Sequence, residues 1–396
     1  MKDKLFQLFF CFFIFWNTII SAYLNMTGET LDGGIMRVTL MFIAVLSWIF
    51  YLSYHNNSSK EKTLLFFIFI FGMLFYSTRF FYYNVNPKFF NLYNGQILRW
   101  GADCVSASLI GMTLTKLKSY SLVHKILPWE CLALTPFMAI AVLTMGHIEG
   151  QLHMDSGMNY QTIAYAMAVL FCFSFYYAFI YRNNHQGGVL IRLIMIGAML
   201  VQSVCCAMAG GRGGLILLIV YVFYMTYYML KSKVISKSKL MLVLIIATLG
   251  FILVANYFSL WTSSGFARSS NGINNDDRFA LWVEYLPYIE QHPLFGNGLG
   301  SDYFTWGFYS HNIFVDWLVE TGVVGVILLS LVFIQTYKRL FALTNINQIF
   351  VVIMILFIYG AVMNMFSGYW ITTNVHWLAF GIVLSRDNYF RTHEYV

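Results

Sequence analysis

Twelve stretches of this chain are apolar and long enough to cross a bilayer. They lie near residues 5–24, 35–54, 63–83, 97–117, 131–146, 163–181, 189–209, 214–230, 240–261, 313–336, 348–366 and 370–385. At 1.5 Å per helical residue, about 20 residues cover about 30 Å of hydrocarbon. Hydrocarbon offers no partner for an unpaired backbone amide, so such runs cross as helices. The expected fold is therefore an all-α polytopic membrane protein with about twelve transmembrane helices. Composition agrees: 59% of the side chains are hydrophobic and only 10% are charged, too few to clothe one water-facing core. The apolar run behind Lys2 and Lys4 is followed by no small-residue cleavage site and reads as the first span rather than a signal peptide.

The net charge of +7 would suggest nucleic acid in a soluble chain. Here the cations fall at alternate connections: Lys2/Lys4, Lys60/Lys62, Lys116/Lys118/Lys125, Arg182, Lys231/Lys233/Lys237/Lys239, Lys338/Arg339 and Arg386/Arg391. That is the positive-inside pattern, which places both termini in the cytoplasm and leaves no nucleic-acid surface. The six cysteines sit in apolar stretches without metal-ligand spacing, so they are expected to pack rather than ligate, and neither a metal nor another cofactor is expected.

One connection is far longer than the rest. Residues 262–312, between the ninth and tenth spans and outward by the charge rule, are expected to carry function within a single membrane domain spanning 1–396. The loop opens with a Gly/Asn/Ser-rich stretch. Asp276 and Asp277 can cap a helix from Arg278 to about Gln291, which His292-Pro293 ends. Gly296-Asn-Gly-Leu-Gly300 predicts a tight turn, followed by a wet aromatic segment leading to His311.

The outward cations are Arg37, Arg79, Lys88, Arg99, Arg212, Arg268 and Arg278, almost all arginine. Arginine's planar fork suits phosphate and carboxylate, so an anionic ligand such as a lipid diphosphate is suggested. Arg37, Lys88 and Arg268 read more simply as interfacial or paired cations, while Arg79 and Arg99 fit either role. Arg212 stands in Ala209-Gly-Gly-Arg-Gly-Gly214, where the glycines permit close approach by a ligand or another backbone. Arg278 is followed by Trp282 and Tyr285, aromatic faces suited to sugar rings. His311 precedes Asn312, with Asp316 and Glu320 at successive i+4 steps. An imidazole can take a proton from an attacking hydroxyl at neutral pH, and either acid could orient it or balance the arginines. His153, His292 and His376 read as structural. No nucleophile elbow, phosphate-binding loop, zinc motif or dinucleotide fingerprint is present.

Arg212 in its glycine-rich turn, Asp277-Arg-Phe-Ala-Leu-Trp-Val-Glu284, His292-Pro-Leu-Phe-Gly-Asn-Gly-Leu-Gly300 and Ser310-His-Asn-Ile-Phe-Val-Asp-Trp-Leu-Val-Glu-Thr-Gly-Val-Val-Gly325 together resemble the O-antigen ligase and Wzy-type polymerase superfamily. The resemblance covers roughly residues 205–330. It implies a GT-C-like fold, a bacterial inner-membrane location and a periplasmic, metal-independent, inverting glycan transfer from an undecaprenyl-diphosphate-linked oligosaccharide, with a chain-length regulator as a further partner. Arg212 and Arg278 would hold the diphosphate and His311 would be the general base; Arg79, Arg99, Trp282, Tyr285, Asn312, Asp316 and Glu320 are candidates for substrate binding. A polymerase is the first reading and a ligase acting on lipid A core the second. A flippase or transporter is a third, disfavoured because the polar residues gather in one asymmetric outer loop.

Overall fold

The computed structural model describes residues 1–27, 33–54, 59–144, 147–148, 151–152, 160–181, 189–233, 256 and 277–393. They are helical apart from turns and a two-residue hairpin, His147–Ile148 with Gln151–Leu152. Eight helices among them are long and apolar enough to cross a membrane, and two shorter apolar helices, Leu65–Phe81 and Asn374–Ser385, correspond to two more expected spans. The chain is thus a multi-pass membrane protein. The expected ninth span at 240–261 lies outside the described residues except for Asn256, as do Arg182, Arg268, His153 and Asp276.

The chain divides into two compact units, residues 1–33 with 121–272 and residues 34–120 with 273–396. In the first, α1 (Lys2–Thr27) packs on α6 (Ser121–Thr144). The Gln7 Oε1 accepts from the Leu122 and Val123 amides at 2.9 and 3.2 Å, satisfying two donors that a helix start leaves unpaired. That cap lets α6 begin ten residues before the expected span at 131, and the helix runs on through Pro128 and Pro136. Helix α7 (Tyr160–Phe175) packs against α6, α8 (Val189–Met208) and α9 (Arg212–Lys231). The glycines around Arg212 serve this packing: a Cβ on Gly211 would lie 2.8 Å from the Ala164 methyl, and one on Gly214 would press into the Ala164 backbone.

The second unit holds α2 (Gly33–Tyr54), α3 (Ser59–Ser77), α4 (Pro87–Arg99) and α5 (Val105–Leu114). From the later chain it takes α10 (Asp277–Gln291), the short α11 (Asp302–Thr305), α12 (Ile313–Thr344), α13 (Ile349–Phe366) and α14 (Asn374–His393). Helix α2 leaves Val38, Met41, Phe42, Val45 and Leu52 open, an apolar face suited to lipid. The span expected at 97–117 is continuous with α4 through a π turn at Trp100–Cys104. Helices α5 and α14 meet backbone to backbone where Gly111 faces Leu378 and Gly381 faces Ser108. The core of this unit is aromatic: Phe75, Tyr93, Trp100, Tyr303, Phe304, Trp317, Tyr369 and Trp370 are all buried.

Candidate functional site

From residue 277 onward, the long loop folds onto the first turns of α12 in the second unit. Helix α10 begins at Asp277 and ends at Gln291, as the sequence predicts. The glycine turn after it is a docking device. Gly296, Gly298 and Gly300 all have positive φ, at 68°, 99° and 75°. The Asn297 amide donates to the Val319 carbonyl at 2.8 Å and the Gly298 amide to that of Glu320 at 2.9 Å. For α12 to accept these bonds its own ladder must open, and it does so at Gly322, whose φ of 63° lies in the left-handed region. The freed Val323 and Val324 amides donate back to Pro293 and Leu294 at 2.9 and 3.2 Å. A side chain at Gly296 would run into the Glu320–Thr321 backbone, and one at Gly322 into Leu294 and Phe295.

Glu320 fastens two other segments to α12. Its Oε1 accepts from the Gly300 amide at 3.0 Å and the Tyr369 hydroxyl at 2.6 Å, and its Oε2 accepts from the Trp370 indole at 2.9 Å. Asp316 has a different partner: its Oδ1 accepts from the Ser310 amide at 2.9 Å and the Ser310 hydroxyl at 2.5 Å. Neither carboxylate bonds the His311 imidazole, so the expected direct orientation by one of them is replaced by support of its backbone.

His311 itself has φ of 60°, a conformation uncommon outside glycine that costs about 1 kcal/mol or more. Its neighbours hold it there. Ser310 is fixed by Asp316 and by the Trp282 indole, which donates to the Ser310 carbonyl at 2.9 Å. The Asn312 side chain caps α12 by accepting from the Phe314 and Val315 amides at 3.0 and 3.3 Å. The imidazole lies 4.6 Å from the Tyr309 ring, centroid to centroid, and its Nδ1 is buried with no protein hydrogen bond. Tyr309 in turn stacks on Tyr369 and donates to the Ser367 carbonyl at 2.9 Å.

The electrostatics bring two arginines to this place. Burial, then the positive charge of Arg278, lowers the pKa of His311 below its ordinary 6.5, with the Ser367 carbonyl opposing, so the ring is a neutral base at pH 7. Burial pushes the Tyr309 hydroxyl up to about 12, against the pull of Arg99 and, more weakly, Arg278. Arg99 is half-buried with an unpartnered Nε. Arg79 is differently placed: its guanidinium lies over the Tyr76 and Phe90 rings at 4.8 and 5.1 Å and donates to the Tyr76 hydroxyl at 2.9 Å.

Two expectations are corrected. The segment before His311 is not wet, because Tyr303 and Phe304 are buried and Phe304 stacks on Tyr82. Tyr285 does not offer an open face: it is fully buried, stacked on Trp306 at 3.8 Å, with its hydroxyl donating to the Phe308 carbonyl. Arg212 opens α9 in the first unit, apart in the chain from all of these.

Residue type and spacing do not single out Tyr309, Tyr369, Trp370 or Asp302, and they give Ser310 no part beyond its place in the motif. Only Asp302, an acid alone among aromatics in Ser301-Asp-Tyr-Phe-Thr-Trp306, carried a signal that could have marked it. It is fully buried, and among the described residues no three acidic, His or Cys side chains converge as a metal would need. Burial, then the charges of Glu320 and Asp316, raises its pKa well above 3.8. The folded protein therefore holds a proton that the unfolded chain releases, so this group's stabilisation is complete below about pH 4 and is lost as pH climbs toward the folded-state pKa. The detergent-solubilised protein is expected to show a Tm that falls with rising pH, and Asp302→Asn, neutral at every pH, is expected to flatten that slope.

Residues 197–330 match a family model described as O-antigen ligase. The matched stretch contains Arg212, Arg278, the glycine turn and His311. The match supports the O-antigen ligase and Wzy-type superfamily that the motifs resemble, and with it an O-antigen ligase or polymerase type of membrane enzyme. No curated protein sequence matches the chain.

Proposed function

We propose, taking the O-antigen ligase match over residues 197–330 as the premise, that this protein is a polysaccharide polymerase of the bacterial inner membrane. It would transfer a glycan from an undecaprenyl diphosphate donor to a hydroxyl of a lipid-linked repeat unit. The observation that carries the chemistry is the surroundings of His311, a neutral, half-buried imidazole under the charge of Arg278 and beside a tyrosine that also senses Arg99.

In this reading the acceptor hydroxyl attacks the anomeric carbon from the face opposite the diphosphate, and the configuration inverts. The hydroxyl proton passes to His311. The bond to the diphosphate breaks with its electron pair, and Arg278 stabilises the charge that appears on the leaving oxygen, with Arg99, whose charge reaches Tyr309, as a supporting cation. Arg212 enters on its motif alone, as a second diphosphate-binding residue. Trp282 and Tyr285 act through the positions of Ser310 and of the loop rather than as sugar platforms. The active site faces the periplasm and both termini the cytoplasm, in keeping with the cation pattern.

A second reading is favoured by the description of the matched family: transfer of the same donor glycan to lipid A core. The purified protein, reconstituted with a diphosphate-linked repeat unit, is expected to make a ladder of extended products; transfer only onto added lipid A core would establish the ligase instead. The pH profile tests the site independently. The rate should rise with pH along an acid limb below 6.5 and level off above it. Arg278→Ala should weaken donor turnover and move that limb upward, because removing a neighbouring cation makes the imidazolium easier to form. A limb unmoved by that change would count against the pairing of these residues.

A further inference from the structure

We propose that Ser310 and Asp316 are the positioning residues of the catalytic base, a clamp that aims the His311 imidazole by fixing the left-handed backbone on which it stands. The proposal rests on the glycan-transfer reading above and goes beyond it, because neither residue touches the imidazole.

The geometry is specific. A residue with φ of 60° reverses the local direction of the chain, so the bearing of its side chain depends on the residues just before and after it. Before it, the Asp316 Oδ1 receives both the amide and the hydroxyl of Ser310. The Ser310 hydroxyl, its proton committed to Asp316 at 2.5 Å, accepts from the Asn312 amide at 3.1 Å and so bridges across His311. After it, Asn312 is tied to α12 through its cap. Ser310 and Asp316 are both fully buried, so water does not compete for these bonds. Ser310→Ala removes the bridge at the cost of one oxygen and leaves the Asp316 bond to the amide. Ser310→Thr keeps the oxygen.

The titratable and charged groups around the ring are Arg278 and Tyr309, with the Ser367 carbonyl. A ring released from this place gains water and escapes part of the Arg278 field, so its protonation moves back toward the ordinary 6.5. That distinguishes aiming from general support of the fold, which would alter stability without moving the profile.

The test is the rate of glycan transfer against pH for wild type, Ser310→Ala, Ser310→Thr and His311→Ala, with Tm recorded for each. Ser310→Ala is expected to lose about 10- to 100-fold in kcat with little change in KM, the scale associated with small misplacements of a catalytic group. Its acid limb should move up, and Ser310→Thr should recover most of both. A Ser310→Ala protein with wild-type kcat and limb overturns the clamp, and so does one that loses Tm and rate together with the limb unmoved. His311→Ala separates the two levels: if it transfers at the wild-type rate, the base assignment itself fails, whereas an inactive His311→Ala beside an unaffected Ser310→Ala sinks the clamp alone.

Discussion

Replacing His311 by alanine is expected to lower glycan transfer by about 10²- to 10⁴-fold, the range that a positioned general base contributes. The imidazole Nδ1 has no hydrogen-bond partner, and the Ser367 carbonyl that the ring meets keeps the Tyr309 hydroxyl as a donor, so removing the ring strands no buried protein group. Alanine still pays for the left-handed backbone at this position, where φ is 60°. Glycine adopts that conformation without strain but gives the unfolded chain more freedom, and each effect is worth about 1 kcal/mol. His311→Gly should therefore be about as stable as wild type and just as inactive as His311→Ala. Equal inactivity in two variants whose backbones are relaxed to different degrees assigns the loss to the missing base. Transfer at more than about a tenth of the wild-type rate by either well-folded variant would remove His311 from the chemistry.

Removing the Glu320 carboxylate is expected to be the most damaging single change to the site's frame. Glu320→Ala strands three buried donors, the Gly300 amide, the Tyr369 hydroxyl and the Trp370 indole. At about 1 to 3 kcal/mol for each unsatisfied group, the loss is on the order of 4 kcal/mol, enough to unfold many domains outright. Relief of repulsion from Asp302 and Asp316 works in the other direction. It offsets only part of that loss, because burial and the charges of Glu320 and Asp316 favour the neutral form of Asp302 and so soften the repulsion. Gly296→Ala tests the same frame without touching charge, since its methyl would collide with the Glu320–Thr321 backbone and its φ of 68° disfavours any side chain. Both variants should unfold at markedly lower temperature in detergent, with the change read in tryptophan fluorescence. A Glu320→Ala protein within about 1 kcal/mol of wild type would mean that the loop and α12 do not depend on this junction.

The membrane character followed from linear order. A helix in hydrocarbon satisfies its own backbone, so run length and apolarity suffice to place most spans. Cap and breaker chemistry is local as well, which is why α10 ends at Gln291 where Pro293 predicts. The early start of α6 was not legible, because its cap is Gln7, more than a hundred residues away in sequence.

The division of labour between Asp316 and Glu320 shows where linear order stops. Both stand on the same helical repeat from Asn312, and spacing gives them equal claims on His311. Tertiary packing separates them: Ser310 occupies Asp316, while Glu320 is taken by an amide 20 residues before it and by side chains about 50 residues after it. The uncharged segment at Tyr369–Trp370 carried no sign of this, because a hydrogen-bond donor becomes significant only through the acceptor set against it. The glycines of 296–300 announced a turn, yet only the fold showed that they are there for the backbone of α12 to come close. Sequence alone thus determined that the chain lies in a membrane and which residues could do chemistry, since apolar length and side-chain type are properties of the chain itself. Which partner each of those residues takes was decided by contacts between distant segments, and those exist only once the chain has folded.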